Sequence, residues 1–157
     1  MTQDHDLQRL IQHASTQYEQ LVLIVGPHGS GKTQMLQSLA ETLHAPILSV
    51  SLELSQHLLE LPPKVRPTRL QTCFEDLIAS TDEKTVFLDN LELLFEPSLR
   101  ADPLSLLRKA SRKRTLVATW SGRCEDHHLI YAAPGHPEYR CEDATGLIMI
   151  QTEASHD

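Results

Sequence analysis

The apolar positions change period several times along the chain, and each change marks an element. Within residues 1–20, Leu7, Leu10, Ile11, Ala14 and Tyr18 fall at the i, i+3, i+4, i+7, i+11 spacing of an amphipathic helix over 4–19. Such a stripe is most often core, so this helix is expected to cap a sheet rather than to contact a ligand. An unbroken apolar run, Leu21–Val25, follows, as a central parallel strand buried on both faces requires. Leu36, Leu39, Ala40 and Leu43 return to helical spacing. Beyond Pro46, Ile47–Ser51 reads as a second strand. Leu54, Leu58, Leu59 and Leu61 suggest a short helix stopped by Pro62-Pro63, and Lys64–Pro67 a loop. Thr68 and Gln71 have capping-box spacing ahead of the helical stripe Leu70, Cys73, Phe74, Leu77 and Ile78. Thr85–Asp89 is the third strand. Asp102-Pro103 sets an N-cap and a first-turn proline before Leu104, Leu107 and Ala110. Thr115–Trp120 is the fourth strand and Leu129–Ala133 a short one. The remainder, 132–157, reads as irregular, with a turn-rich loop at Pro134–Arg140 and a final strand at Leu147–Ile150. Strands alternating with helices predict one α/β domain over 1–157: a parallel sheet, right-handed crossovers and helices on both faces. Ligands of such a sheet bind at the carboxyl ends of its strands.

One of those ends carries a motif. Gly26-Pro-His-Gly-Ser-Gly-Lys-Thr33 follows the first strand and opens the next helix, which is the G-x-x-x-x-G-K-[ST] phosphate loop in its required setting. Gly26, Gly29 and Gly31 let the backbone curl so that N–H groups, including those of His28 and Ser30, face phosphate oxygens. The helix start adds unpaired N–H groups and the positive end of its dipole. Lys32 would reach the β- and γ-phosphates, and Thr33 would ligate Mg²⁺. Asp89, ending the third strand, suits the carboxylate that holds the same ion, so ATP and Mg²⁺ are the expected cofactors. His28 occupies a variable position of the loop and is expected to face solvent. Together these features predict a P-loop NTPase core of the AAA+ or RecA-like kind.

The catalytic acid is harder to place. Many such ATPases carry Glu directly after the Walker B Asp, to orient the attacking water; here the position holds Asn90, whose amide cannot take up a proton. Glu53, after the second strand, and Glu92, two residues past Asn90, are the substitutes. Thr119 or Ser121, ending the fourth strand, offers a polar group toward the γ-phosphate. Arg108–Arg114 holds five basic residues in seven. Charge at a helix C-terminus facing water accounts for it best, ahead of DNA phosphate contact or an arginine offered to a neighbouring subunit. Arg123 is the other candidate for that arginine.

Composition narrows the class. A formal charge of −7 argues against a general nucleic-acid coat. No apolar run approaches a membrane span and the first residues are no signal peptide. Three scattered cysteines without C-x-x-C spacing fit a reduced, cytoplasmic compartment, and Cys73 sits on a buried helical face. His127, His128 and His136 near Cys124 and Cys141 lack the paired spacing of a zinc site.

Four stretches carry a resemblance: Gly26–Thr33, Leu52–Pro62, Phe87–Phe95 and Tyr131–Arg140. In them the chain resembles the BrxF family, the small P-loop proteins of type 3 BREX bacteriophage-defence systems. The phosphate loop discriminates poorly; the other three stretches are specific. Residues 141–157 lie outside the match. The resemblance implies a bacterial antiviral role with other BREX components as partners, and no settled mechanism. A full AAA+ module carries a helical lid after its sheet, and none is expected here. ATP binding and turnover by an isolated subunit are therefore expected to be weak, with a partner or a homo-oligomer completing the site. Two other readings stand beside an accessory ATPase: a small-molecule kinase, and a module that holds nucleotide without turning it over.

Overall fold

The structure, a computed structural model, describes residues 2–152, with side chains from residue 6 onward. Its elements are α1 (Thr2–Ala14), β1 (Leu21–Gly26), α2 (Lys32–Thr42), β2 (Ile47–Ser49), α3 (Val50–Leu58), α4 (Arg66–Ala79), β3 (Thr85–Asp89), α5 (Pro103–Ala110), β4 (Thr115–Ser121), β5 (Arg123–Glu125), β6 (His128–Tyr131), β7 (Arg140–Asp143) and β8 (Ile148–Gln151). Five strands form one parallel sheet in the order β2-β3-β4-β1-β8, so β4 lies between the strand of the phosphate loop and the strand ending in Asp89. Alternate residues of β1 serve opposite faces. Leu21, Leu23 and Val25 pack with α3, α4 and α5 through Leu54, Phe74 and Leu107. Val22 and Ile24 pack with α1 and α2 through Leu7, Ile11, Leu36 and Leu39. Burial on both faces is what the apolar run encoded. Among the described residues no helix is long and apolar enough to cross a membrane.

Several boundaries differ from the sequence expectation. The second strand stops at Ser49, and Val50-Ser51 open α3 instead of extending it. Tertiary bonds decide this: the Ser51 N–H and hydroxyl both donate to Asn90 O, at 2.8 and 2.5 Å, while Val50 is fully buried. The expected Lys64–Pro67 loop is a 3-10 turn, Pro63–Val65, running into α4, which begins at Arg66. Pro67 sits in the first helical turn, where its missing N–H costs nothing. The capping box therefore does not form. Thr68 Oγ1 donates back to Val65 O at 2.8 Å, and Gln71 turns to Glu75. Tyr18 lies beyond the end of α1 and is exposed, its ring 5.0 Å from the Arg112 guanidinium. The expected N-cap of α5 forms, with Asp102 Oδ1 accepting from Ser105 N at 3.1 Å.

The largest departure is a second sheet. β5, β6 and β7 form an antiparallel meander beyond β4, where only one short strand and a loop were expected. It is anchored to the end of β4 by aromatic side chains. Phe95 stacks on Tyr131 at 3.5 Å, the buried Trp120 meets Phe95 edge-on, and Trp120 Nε1 donates to Ile130 O at 3.2 Å. Gly122 makes that approach feasible, because a Cβ there would lie far inside van der Waals contact distance of Ile130 O. Gly122→Ala is expected to destabilise the fold by about 1–3 kcal/mol through forced overpacking, read as a lowered midpoint in thermal unfolding.

Candidate functional site

Three neighbouring strand ends converge at the carboxyl edge of the sheet. From β1 the chain enters the loop, where Gly29 (φ +77) and Gly31 (φ +90) adopt the left-handed conformation that glycine tolerates best. Gly31 is the N-cap of α2, so the amide groups at its start face the loop's concavity. Lys32 is nearly buried and its Nζ donates to Pro27 O at 2.8 Å. Burial pushes its amine below the usual lysine range, while the charges of Asp89 and Glu92 pull the other way.

β3 delivers Asp89, 8% exposed, into a closed set of donors. Thr33 Oγ1 donates to Oδ2 at 3.0 Å. Thr119 Oγ1, from β4, and the Asn90 N–H donate to Oδ1 at 2.6 and 2.9 Å. A hydroxyl and a carboxylate this close form the oxygen pair that a hard divalent cation uses, so Thr33 and Asp89 fit Mg²⁺. A cleft of about 310 Å³ opens over them, lined by His28, Gly29 and Gly31–Gln34 of the loop region and by Asp89, Asn90, Glu92, Thr119 and Ser121. Gly26 and Ser30 are not among its lining. Gly26 lies against Thr152, where a Cβ would overlap Thr152 Oγ1, and Ser30 Oγ is 2.5 Å from the same hydroxyl. Thr152 is a residue that sequence reasoning missed.

The candidate acids separate. Glu92 is exposed and lines the cleft from a 3-10 turn, Glu92–Phe95. Glu53 does not line it, which corrects the sequence reading: because α3 starts at Val50, Glu53 falls within the helix instead of at a strand end. Asn90 has φ +56, a region where asparagine is tolerated better than most residues, and its Nδ2 donates to Ser49 Oγ at 3.1 Å. The residue thus ties β3 to the β2–α3 junction. Arg123 is paired with Glu125 at 2.6 Å and lines a second cleft of about 640 Å³ that shares His28, Glu92 and Ser121 with the first.

The three arginines of the basic cluster have partners within the chain, while Lys109 and Lys113 are exposed. Arg108 and Arg112 pair with Glu19 at 2.8 and 3.4 Å, and Arg114 donates to the Ile78, Thr81 and Glu83 carbonyls near the amino end of β4. That is the opposite edge of the sheet from the cleft. Cys124 and Cys141 sit on β5 and β7, separated by β6.

The strand order, the loop and the carboxylate facing it agree with a comparison of families. The model of the ATPase family associated with various cellular activities (AAA) matches residues 22–130. The chain belongs to the AAA family. No curated protein sequence matches it. Among solved structures, the AAA domain here is similar to PCH-2 of C. elegans, with a TM-score of 0.52 and 18% identity over 98% of this chain and 42% of that one. It is also similar to AMPPCP-bound DnaA from Aquifex aeolicus (0.52, 14%, 95% and 44%) and to a replication initiator DnaA bound to AMPPCP and single-stranded DNA (0.51, 14%, 97% and 47%). At these identities the likeness is one of fold. The chain spans less than half the length of each of these structures.

Proposed function

We propose that this AAA domain binds Mg²⁺–ATP in the cleft over the phosphate loop and hydrolyses it slowly, or when a partner stimulates it, as a switch or accessory subunit. The observation that carries the reading is Asp89, held by Thr33 and Thr119 at the mouth of a loop whose lysine is nearly buried. In this scheme Lys32 neutralises the β- and γ-phosphates, and Thr33 and Asp89 hold the ion. Mg²⁺ would supply charge stabilisation to the transferring phosphoryl group. Glu92, at the cleft wall, is the best-placed base for the attacking water, and Asn90 orients without accepting a proton.

Lys32 is the one lysine or arginine among the lining residues. A cation that stabilises the departing phosphate would therefore come from outside, from another copy of this chain or a partner; Arg123, in an exposed pair with Glu125, is one such arginine that a copy could offer. The stretches shared with BrxF support a BREX-type anti-phage complex in the cytoplasm as the setting and the other BREX components as partners. The pairing of Arg108 and Arg112 with Glu19 and the net charge of −7 weigh against DNA contact through Arg108–Arg114. A second reading, nucleotide held without turnover, draws on Asn90 standing where a carboxylate would act.

ATP turnover across a protein concentration series separates them, with Glu92→Gln alongside. Turnover per subunit that rises with concentration and falls about hundredfold in the variant supports a shared, Glu92-driven site. Intact ATP binding with no turnover at any concentration overturns hydrolysis by the isolated protein and leaves a switch that needs its partner, or the holding module.

A further inference from the structure

We infer that Thr152 is a positioning residue of the nucleotide site, clasping the phosphate loop from the edge strand β8. The inference rests on the nucleotide-binding reading above. β8 runs parallel to β1 in the register Val22↔Ile148 to Val25↔Gln151, which brings Thr152 alongside Gly26. There the Thr152 N–H donates to Val25 O at 2.7 Å and its Oγ1 to the same oxygen at 3.3 Å. With the Thr152 hydrogen directed at Val25 O, the remaining lone pairs of Oγ1 receive the Ser30 hydroxyl at 2.5 Å. One hydroxyl thereby joins the entrance of the loop, at Val25–Gly26, to its far limb, at Ser30.

Elsewhere the loop is held by backbone bonds from the Gly122 N–H to Gly26 O at 2.9 Å and from the Ser30 N–H to Pro27 O at 3.2 Å, with open space around Gly29 and Gly31. Ser30 lies between two glycines at positive φ. A Cβ on Gly29 would meet nothing within 4 Å, and one on Gly31 only the Gln34 side chain at 3.8 Å. From the inner side the loop is braced by Lys32 Nζ on Pro27 O, and that ammonium must turn to the phosphates when nucleotide binds. The Ser30–Thr152 clasp lies outside the cleft lining, so it persists through binding. It holds the N–H array in its curled form, and a loop curled in advance loses less conformational freedom on binding. Gly26 is glycine for the same reason, since the clasp occupies the space a side chain would need.

The test measures affinity for a fluorescent ATP analogue with Mg²⁺, and thermal unfolding, in the full chain. Thr152→Val keeps shape and the backbone bond and removes the hydroxyl; its Kd is expected to rise about tenfold with little change in melting temperature. Thr152→Ser restores the hydroxyl and is expected to bind within about twofold of the unaltered protein. Ser30→Ala is expected to lose about as much as Thr152→Val, and the double variant about as much as Thr152→Val alone, because both remove the Ser30–Thr152 bond and Val25 O keeps the Thr152 N–H. Unchanged affinity in Thr152→Val, failure of the serine to restore it, or losses that add would each overturn the clasp while leaving nucleotide binding intact. Absence of binding by the unaltered protein overturns the nucleotide reading and the clasp with it.

Discussion

Lys32→Met is expected to abolish nucleotide binding while raising the melting temperature. The two effects have one cause. Lys32 is 7% exposed, and burial holds its amine below the usual lysine range despite the nearby charges of Asp89 and Glu92. A lysine whose folded pKa lies below its unfolded one destabilises the fold wherever both forms are charged, which includes neutral pH. The cost fades as pH rises through the folded value toward the unfolded one. Methionine has similar length and no charge to desolvate. The midpoint of thermal unfolding at pH 7 should rise by roughly 2–4 °C, the shift that about 1 kcal/mol makes in a domain of this size. The gap between variant and parent should narrow at pH 10. Affinity for ATP should fall at least about a hundredfold, because the loop loses the ammonium that faces the phosphates. A lowered midpoint at pH 7 would show that Nζ on Pro27 O, with its pull on Asp89, outweighs the desolvation of the charge.

The features that were legible in the sequence are those that local chemistry dictates. Leu21–Val25 is apolar throughout, and Thr115–Trp120 is apolar but for Thr115 and Thr119, because central parallel strands are buried on both faces. The glycine spacing of Gly26–Thr33 is fixed by what a phosphate requires. Asp89 was found because it ends such a strand. The elements that were missed are specified by distant partners. β5 is Arg-Cys-Glu and β7 Arg-Cys-Glu-Asp, so neither shows an apolar pattern; their pairing with β6 and the Phe95–Tyr131 stack make them strands. Val50-Ser51 looks like strand because valine favours strands, yet Asn90 O captures Ser51 and starts a helix there. That boundary puts Glu53 in the first turn of α3, outside the cleft lining. Thr152 acts on Ser30 across 122 positions, a separation on which no periodicity reports. The sequence placed Arg108–Arg114 at a helix C-terminus facing water, and Lys109, Arg112 and Lys113 are exposed there; what it could not show is that Glu19 and the carbonyls at Thr81 and Glu83 engage the arginines.

Asp89→Asn is the complementary substitution and should separate binding from metal use. The amide oxygen can keep both bonds of Oδ1, from Thr119 Oγ1 and the Asn90 N–H. The amide nitrogen would face Thr33 Oγ1, a hydroxyl able to accept as well as donate. The fold should therefore survive with its melting temperature within a few degrees of the parent. The carboxylate charge that holds Mg²⁺ is lost. Mg²⁺ should tighten ATP binding in the parent and leave it unchanged in the variant, and any turnover should fall roughly a hundredfold or more. Lys32 supplies a second signature. Asp89 is the larger of the two charges that raise its amine, so its removal lets burial depress that pKa further. Affinity for ATP should then begin to decline at a lower pH in Asp89→Asn than in the parent as pH is raised. Titrating ATP with and without Mg²⁺ from pH 6 to 10 reads both effects. An Asn variant that keeps the Mg²⁺ response would move the metal away from Asp89, whereas a lost response with an unshifted pH profile would separate Asp89 from Lys32.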